Sequence, residues 1–236
     1  MHKAFAIKGK GISVILFIMI QILFWLCLNF ITPNDLDKYF IFGGVVLSCL
    51  FSFFYTSRSS STKFLSIALM FTCAADVFLV MLEGKHKTLA MCLFLCAQIA
   101  HASVVFSLAR SKIERYLQII SRIVLSVCCA SAVFIVLKEK TEALFVISLI
   151  YFANLALNII FSFVHFSKSN RARLLSLGFL CFALCDVSIG FDFLINIFSL
   201  GKDSFVYMIN HLPFSFVHLF YPLSQMLLCL SGKIKD

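Results

Sequence analysis

The chain has 236 residues, of which 61% are hydrophobic and only 13% charged, and its formal net charge is +9. Soluble domains are about half apolar and about a quarter charged, so this composition excludes an ordinary soluble protein. The basic charge does not indicate nucleic acid as a partner, because Lys and Arg lie in short segments between long apolar runs, with no basic domain to hold it. We expect these charges to face anionic lipid headgroups instead.

The apolar runs are long and continuous, unlike the short alternating segments of a membrane β-barrel. Only helices satisfy their own backbone hydrogen bonds over such lengths in lipid. The first run is too long for the hydrophobic region of a cleaved signal peptide, so we expect it to remain as a span. The sequence predicts an all-α bundle of eight transmembrane helices in a single domain over residues 1–236. The predicted spans are about 12–31, 39–56, 64–82, 88–109, 116–137, 143–166, 174–199 and 205–230.

The loops predict the orientation of these spans. Lys and Arg concentrate in the N-terminal segment, in the even-numbered loops and at the C-terminus, and they are sparser in the odd-numbered loops. Because positive residues accumulate on the cytoplasmic side, we expect both termini to be cytoplasmic. In a bacterium, the protein would then lie in the cytoplasmic (inner) membrane.

Two acids lie deep inside predicted spans: Asp76 in FTCAADVFLVML of span 3 and Asp186 in LCFALCDVSIGF of span 7. A carboxyl group in hydrocarbon costs several kcal/mol and persists mainly where it has partners or takes part in chemistry. Both acids lie equally far from the predicted start of their span, so they are level in the membrane. They would face each other if spans 3 and 7 pack together. The alternative is that each acid only joins neighbouring helices through hydrogen bonds.

Further polar residues mark spans 4 and 8. His101 lies centrally in span 4, with Gln98 one turn before it, while His211 and His218 lie in span 8. The separation between Asp76 and His101 recurs between Asp186 and His211, which suggests two four-helix repeats. A histidine on an apolar helix is more often a packing residue than a catalyst, and His101 is the strongest candidate because it is the most central.

Span 8 also carries Tyr221 and Gln225, which share one helix face. Pro213 and Pro222 predict a kink or break in this span, with backbone carbonyl groups set free. Asp192 points from a different face of span 7 than Asp186, nearer the outer surface. In span 6, the pair Asn154 and Asn158 favours hydrogen bonding between helices.

The ten cysteines lie mostly inside the spans, with Cys92/Cys96 and Cys181/Cys185 spaced one turn apart. Because no mixed Cys and His ligands occur at loop spacing, we interpret them as small packing residues. Neither a metal site nor a disulfide framework is expected.

At these positions the chain resembles the YhhN family of membrane proteins, which includes the lysoplasmalogenases. The family's Gly-Asp-x-x-Leu motif corresponds to residues 75–79, and its Ser-Asp motif to Cys185 and Asp186. His101 matches a family histidine in span 4, and Tyr221 with Gln225 matches the final Tyr-x-x-x-Gln pattern. The chain departs from the family where Ala75 replaces Gly, Cys185 replaces Ser, and Asp192 stands where Asn is more common.

The resemblance implies a hydrolase that cleaves the vinyl ether bond of a lysoplasmalogen, with Asp76, Asp186 and His101 as catalytic residues. Tyr221, Gln225, His211 and Asp192 are the expected substrate-binding residues. The expected partners are a lysophospholipid substrate and membrane lipid, with no metal or redox cofactor. A proton-coupled transporter or lipid flippase is the main alternative, since acids inside the membrane and a broken span also suit a carrier. A third interpretation is a membrane subunit in which the two acids only join neighbouring helices through hydrogen bonds.

Overall fold

The computed structural model describes residues 2–31, 36–55, 59–137, 142–198, 201, 203–210 and 215–234. Helices account for almost all of these residues. In chain order they are α1 (His2–Phe30), α2 (Asp37–Tyr55), α3 (Ser60–Asp76), a π-helical turn (Val77–Met81), α4 (Lys87–Phe106), α5 (Lys112–Leu137), α6 (Ala143–Val164), α7 (Asn170–Phe198), α8 (Phe205–Asn210) and α9 (Phe216–Ser231). The predicted all-α membrane bundle is confirmed.

Seven of the described helices, α1 to α7, are long and apolar enough to cross a membrane. The protein is therefore a multi-pass membrane protein. Large apolar side chains cover the outer faces, as on α5, where Ile113, Ile120 and Val124 are all more than half exposed. In water such a surface would be an aggregation hazard, whereas in lipid it is the expected one.

Serine hydroxyl groups fix where several helices begin. The Ser59 Oγ accepts a hydrogen bond from the Thr62 amide at the start of α3, and Ser111 Oγ accepts one from the Glu114 amide at the start of α5. Ser169 and Ser215 do the same for α7 and α9. These side chains satisfy amide groups that have no partner inside the helix. They explain why several helices begin a few residues before the apolar runs that predicted them.

The predicted eighth span is divided in the structure into the short helix α8 and the 16-residue helix α9. Pro213 lies outside the described residues. Pro222 lies inside α9, and the helix continues through it. Its ring removes the amide that would bond to the His218 carbonyl one turn earlier. A contact from α1 compensates for this loss.

The compensating groups are two polar side chains of α1. Asn29 Nδ2 donates to the His218 carbonyl over 3.4 Å, and Trp25 Nε1 donates to the Leu219 carbonyl over 3.0 Å. Such outside donors allow a proline in a membrane helix, because a free carbonyl group in hydrocarbon is costly. The pairs fix α1 against α9 and so hold the start of α9 in the bundle.

The helices that carry the two acids pack against different neighbours. α3 packs mainly against α4, whereas α7 packs mainly against α9, and α9 also contacts α1, α2 and α3. α5 lies at the periphery and packs on α6. The two acid-bearing helices thus belong to separate helix pairs, with α9 and α6 supplying the residues that connect them to the interior.

Candidate functional site

A cavity of about 340 Å³ lies inside one end of the bundle. Its walls come from the start of α2, the end of α3, the starts of α4 and α6, the later part of α7 and the start of α9. Because successive helices run in opposite directions, all of these ends lie on the side of the odd-numbered loops. Most of the wall is apolar, and the polar side chains on it are Asp76, Lys87, Ser148, Tyr151, Asp186 and Tyr221, with Cys185 beside them.

Asp76 is the last residue of α3 and directly precedes the π-helical turn. Its side chain is buried, and its Oδ2 accepts a hydrogen bond of 2.6 Å from the Tyr221 hydroxyl group of α9. π-Helical turns are rare and often lie at functional sites. Here the wider turn follows the acid, and its residues Leu79 and Val80 form part of the cavity wall.

Asp186 lies in α7 and reaches the same cavity from another wall. Its Oδ2 accepts a hydrogen bond from the hydroxyl group of Tyr151, a buried residue of α6. The structure therefore brings both predicted acids to one cavity. Each carboxyl group is held by its own tyrosine, and among the described residues no hydrogen bond joins the two acids directly.

His101 does not lie on this cavity. Its ring is buried and packs edge-on against Phe179, with 5.1 Å between the ring centroids. Neither ring nitrogen has a hydrogen-bond partner among the described residues. The structure thus gives His101 the surroundings of a packing residue, and a catalytic role for it stays a prediction that the geometry does not support.

Of the predicted substrate-binding residues that the structure describes, only some line the cavity. Tyr221 lies on the cavity wall, but Gln225, one turn further along α9, is buried away from it and donates to Ser224 Oγ over 3.3 Å. His211 lies outside the described residues. Asp192 belongs to α7, but its side chain is also outside the described part of the chain.

The mouth of the cavity carries a lysine at the start of α4. Lys87 is exposed and lines the cavity, and its side chain lies over the preceding turn. Gly84 permits this approach, because it has φ +71° and a Cβ there would lie 3.0 Å from Lys87 Cε. At the same turn, Lys38 donates to Glu83 over 3.0 Å, and this contact holds the pKa of the exposed carboxyl group below its usual value.

Tyr151 was missed by the sequence analysis, although a signal for it existed. Tyr151, Asn154 and Asn158 follow one another at helical spacing along one face of α6, and all three are buried. A tyrosine on the polar face of an apolar helix needs a partner for its hydroxyl group. The predicted hydrogen bonding between helices by the two asparagines is confirmed, since both accept hydrogen bonds from Arg122 of α5.

All ten cysteines are free thiols in the structure. Cys185 is buried next to Asp186 on the cavity wall, and Ala75 is buried next to Asp76. Two of the three family departures, Ala75 and Cys185, thus lie directly beside the acids.

The family model described as the YhhN family matches residues 15–231, which is nearly the whole chain. The protein belongs to the YhhN family. The match covers both acids, both tyrosines and every helix that lines the cavity. No curated protein and no solved structure gave a match to this YhhN chain.

Proposed function

We propose that this YhhN protein is a membrane-embedded hydrolase that cleaves the vinyl ether bond of a lysoplasmalogen. The products would be a fatty aldehyde and a glycerophospho-ethanolamine or -choline. The observation that carries the proposal is the placement of Asp76 and Asp186, each hydrogen-bonded by a tyrosine, on one mostly apolar cavity inside the bundle. Membership of the YhhN family is compatible with this activity.

The reaction suits two carboxyl groups on the wall of a mostly apolar cavity. A neutral carboxylic acid protonates the vinyl ether carbon that is not bound to oxygen, and this leaves an oxocarbenium ion. A carboxylate stabilises the positive charge. Water then adds to the carbon that bears the oxygen, and a proton from that water returns to the site. The hemiacetal collapses by breaking its bond to the glycerol oxygen, and one water is consumed for each aldehyde released.

The cavity supplies the remaining requirements of this substrate. Apolar residues such as Ile41, Met91 and Phe94 would contact the hydrocarbon chain next to the ether. Lys87 at the mouth would attract the phosphate group, as lysine ammonium groups commonly do. None of these steps calls for a metal ion or a redox cofactor.

The deciding experiment uses purified protein in detergent, with no membrane gradient. Incubation with a panel of lysophospholipids should release fatty aldehyde, detected by mass, from those with a vinyl ether at the first glycerol carbon. The matched control is the lysophospholipid with an ester at the same position and the same chain length. Release from neither lipid, together with lipid or proton movement in sealed vesicles, would favour the carrier and reject the hydrolase.

We further propose that both termini are cytoplasmic, as the charges of the loops predict. The cavity would then open toward the outer leaflet, because its walls come from the ends of helices next to the odd-numbered loops. Reporter fusions at residue 236 and within the loop before α4 should report opposite sides of the membrane. If both reporters lie on the same side of the membrane, this orientation is contradicted.

A further inference from the structure

The acids lie at the closed end of the cavity, and the lysine lies at its mouth. Lys87 is the first residue of α4, and Phe94, also on the wall, lies about two turns, or about 10 Å, deeper. On α9, the wall likewise runs inward from Val217 to Tyr221, which holds Asp76. A lysolipid whose ether reaches the acids and whose phosphate contacts the lysine therefore extends from the mouth to the closed end.

Aromatic rings form the floor at this closed end. Phe182 of α7, one turn before Asp186, is 1% exposed. Its ring centroid lies 5.7 Å from that of Tyr221 and 6.2 Å from that of Phe94. Gln225, one turn deeper than Tyr221 on α9, is fully buried and does not line the cavity. A hydrocarbon chain that begins at the acids therefore meets packed side chains if it continues inward.

The length of a lipid chain then requires another way out. A chain in one leaflet reaches about 15 Å, half of a hydrocarbon core of about 30 Å. The cavity has a volume of about 340 Å³, near the lower limit for pockets that hold drug-sized ligands. Because the headgroup occupies the mouth and the floor is closed, the chain must leave through a side wall.

One side wall faces lipid, and it lies between α6 and α7. Of the apolar wall residues that the structure describes, Ile189 of α7 alone is exposed, at 44%. Its neighbour Gly190 also lines the cavity and has no side chain. A Cβ at Gly190 would have Phe152 Cζ of α6 as its nearest neighbour, at 4.0 Å. At this point the wall consists of a glycine backbone and the tip of one aromatic ring.

The packing of the helices explains why this wall is thin. α6 packs more extensively on α4 and α5 than on α7, whereas α7 packs mainly on α9. Asp186, one turn before Gly190, is only partly buried, whereas Asp76 on another wall is 1% exposed. Ser148, one turn before Phe152, is also partly buried and lines the cavity. The cavity is therefore poorly covered where α6 meets α7.

We propose that the hydrocarbon chain of the lysolipid leaves the cavity between α6 and α7, past Gly190 and Phe152, so that its far end stays in the membrane. The ether and the headgroup lie inside, and the lipid reaches the acids without leaving the bilayer. Gly190 then determines specificity, because a side chain at this position narrows the opening toward Phe152. This chain subsite rests on the proposed hydrolase function.

The kinetic test fills the opening by the substitution Gly190→Leu. The substrates are two vinyl ether lysolipids with the same headgroup, one whose chain reaches the middle of the bilayer and one whose chain has about four carbons and fits inside the cavity. Gly190→Leu should lower kcat/KM by about 10-fold or more for the long chain and by less than about 2-fold for the short one, since misfitting methylene groups have effects of this size.

The matched control is Gly11→Leu, the same substitution on α1. Gly11 is exposed, and a Cβ there meets nothing within 4 Å. This variant should hydrolyse both lipids like the wild type. An equal loss for both lipids in Gly190→Leu, or wild-type kcat/KM for both, would overturn the proposal.

Photolabelling of the wild type tests the opening without any substitution, and so it decides the matter if Gly190→Leu does not fold. The probe is a lysolipid with a saturated ether, which has no vinyl carbon to protonate, and with a diazirine halfway along its chain. Labels that an excess of the same lipid without diazirine displaces should lie around Ile189 and Phe152, as mapped by mass. Displaceable labels on α2 or α3 instead, or none at all, would overturn the proposal.

The two proposals fail separately. If no lysolipid yields aldehyde but displaceable labels lie between α6 and α7, the hydrolase is rejected and the opening stands as a lipid-binding site. If aldehyde is released while the displaceable labels lie elsewhere, the opening is rejected and the hydrolase stands.

Discussion

Tyr221 and Asp76 are separated by 145 positions in the chain, yet the tyrosine hydroxyl donates a 2.6 Å hydrogen bond to the carboxyl group. This bond joins α9 to the end of α3 at the point where the π-helical turn begins. It fixes the orientation of the carboxyl group on the cavity wall, where both partners are almost fully buried.

Tyr221→Phe removes only the hydroxyl group that holds Asp76. Aldehyde release should fall by about 10- to 100-fold, because the lost hydrogen bond is worth about 1.5–3 kcal/mol when its acceptor is charged in the reaction. The measurement is kcat with a vinyl ether lysolipid in detergent. Tyr116→Phe is the control, since Tyr116 is 64% exposed on α5 and should give wild-type turnover. Equal kcat for both variants would contradict a positioning role for Tyr221.

Asp76→Asn and Asp186→Asn each keep the size of the side chain but remove a titratable group. Each should lower aldehyde release by at least about 100-fold, since general acid–base catalysis contributes about that much or more. Expression and monodispersity in detergent should not change. Asp203→Asn makes the same substitution at an exposed position after α7 and should leave aldehyde release unchanged. Normal turnover by both cavity variants would reject the assignment of these acids.

Ser148→Phe places a large ring on the cavity wall and should reduce the space available to the hydrocarbon chain. We expect KM to rise about 10-fold or more for long-chain substrates and less for short ones, because a misplaced chain loses apolar burial. Leu149→Phe adds a similar ring at the next position, which is 41% exposed toward lipid, and should have no effect. The measurement is KM against chain length. A similar rise in KM for both variants would mean that the cavity does not bind the hydrocarbon chain of the substrate.

Lys87→Ala removes the positive charge at the cavity mouth. KM for a lysolipid with a phosphate headgroup should rise about 3- to 10-fold, with kcat unchanged, because the interaction is partly exposed and screened. Lys85→Ala removes an exposed charge of the same turn that does not line the cavity, and KM should stay close to wild type. A lysolipid analogue without phosphate should not distinguish Lys87→Ala from the wild type.

Two glycines of α7 give a prediction about stability. A Cβ at Gly178 would lie 2.9 Å from Leu228 side-chain atoms and 3.2 Å from the Leu228 backbone nitrogen, so α7 and α9 would have to separate. Gly178→Ala should destabilise the protein by about 1–3 kcal/mol. At Gly190 the nearest atom is Phe152 Cζ at 4.0 Å, so Gly190→Ala should stay within about 1 kcal/mol of the wild type. Thermal unfolding in detergent compares the two.

Much of the fold was predictable because its causes are local. Long apolar runs need helices in lipid, and the serines before α3, α5, α7 and α9 mark helix starts by a short-range hydrogen bond. The eighth span was less predictable, since the sequence indicated a disruption at its prolines. The continuation of α9 through Pro222 depends on Asn29 and Trp25, which are almost 200 positions away.

The candidate site was predictable only in part. A carboxyl group in an apolar run is visible in the sequence, so Asp76 and Asp186 were found. Tyr151 was missed because tyrosine is common in membrane helices, and its spacing with Asn154 and Asn158 marks a polar helix face without identifying Asp186 as its partner. His101 and Gln225 lie away from the cavity. The side of the helix on which a polar residue lies, relative to the neighbouring helices, decides whether its side chain faces the cavity or a packed interface.

The sequence by itself determined that this is a helical membrane protein with two acids at similar depth, because the cost of charge in hydrocarbon depends on composition and length along one chain. Only the tertiary structure decided that both acids line one cavity and that a different tyrosine holds each. These relations join residues on separate helices, and their geometry depends on which faces pack together.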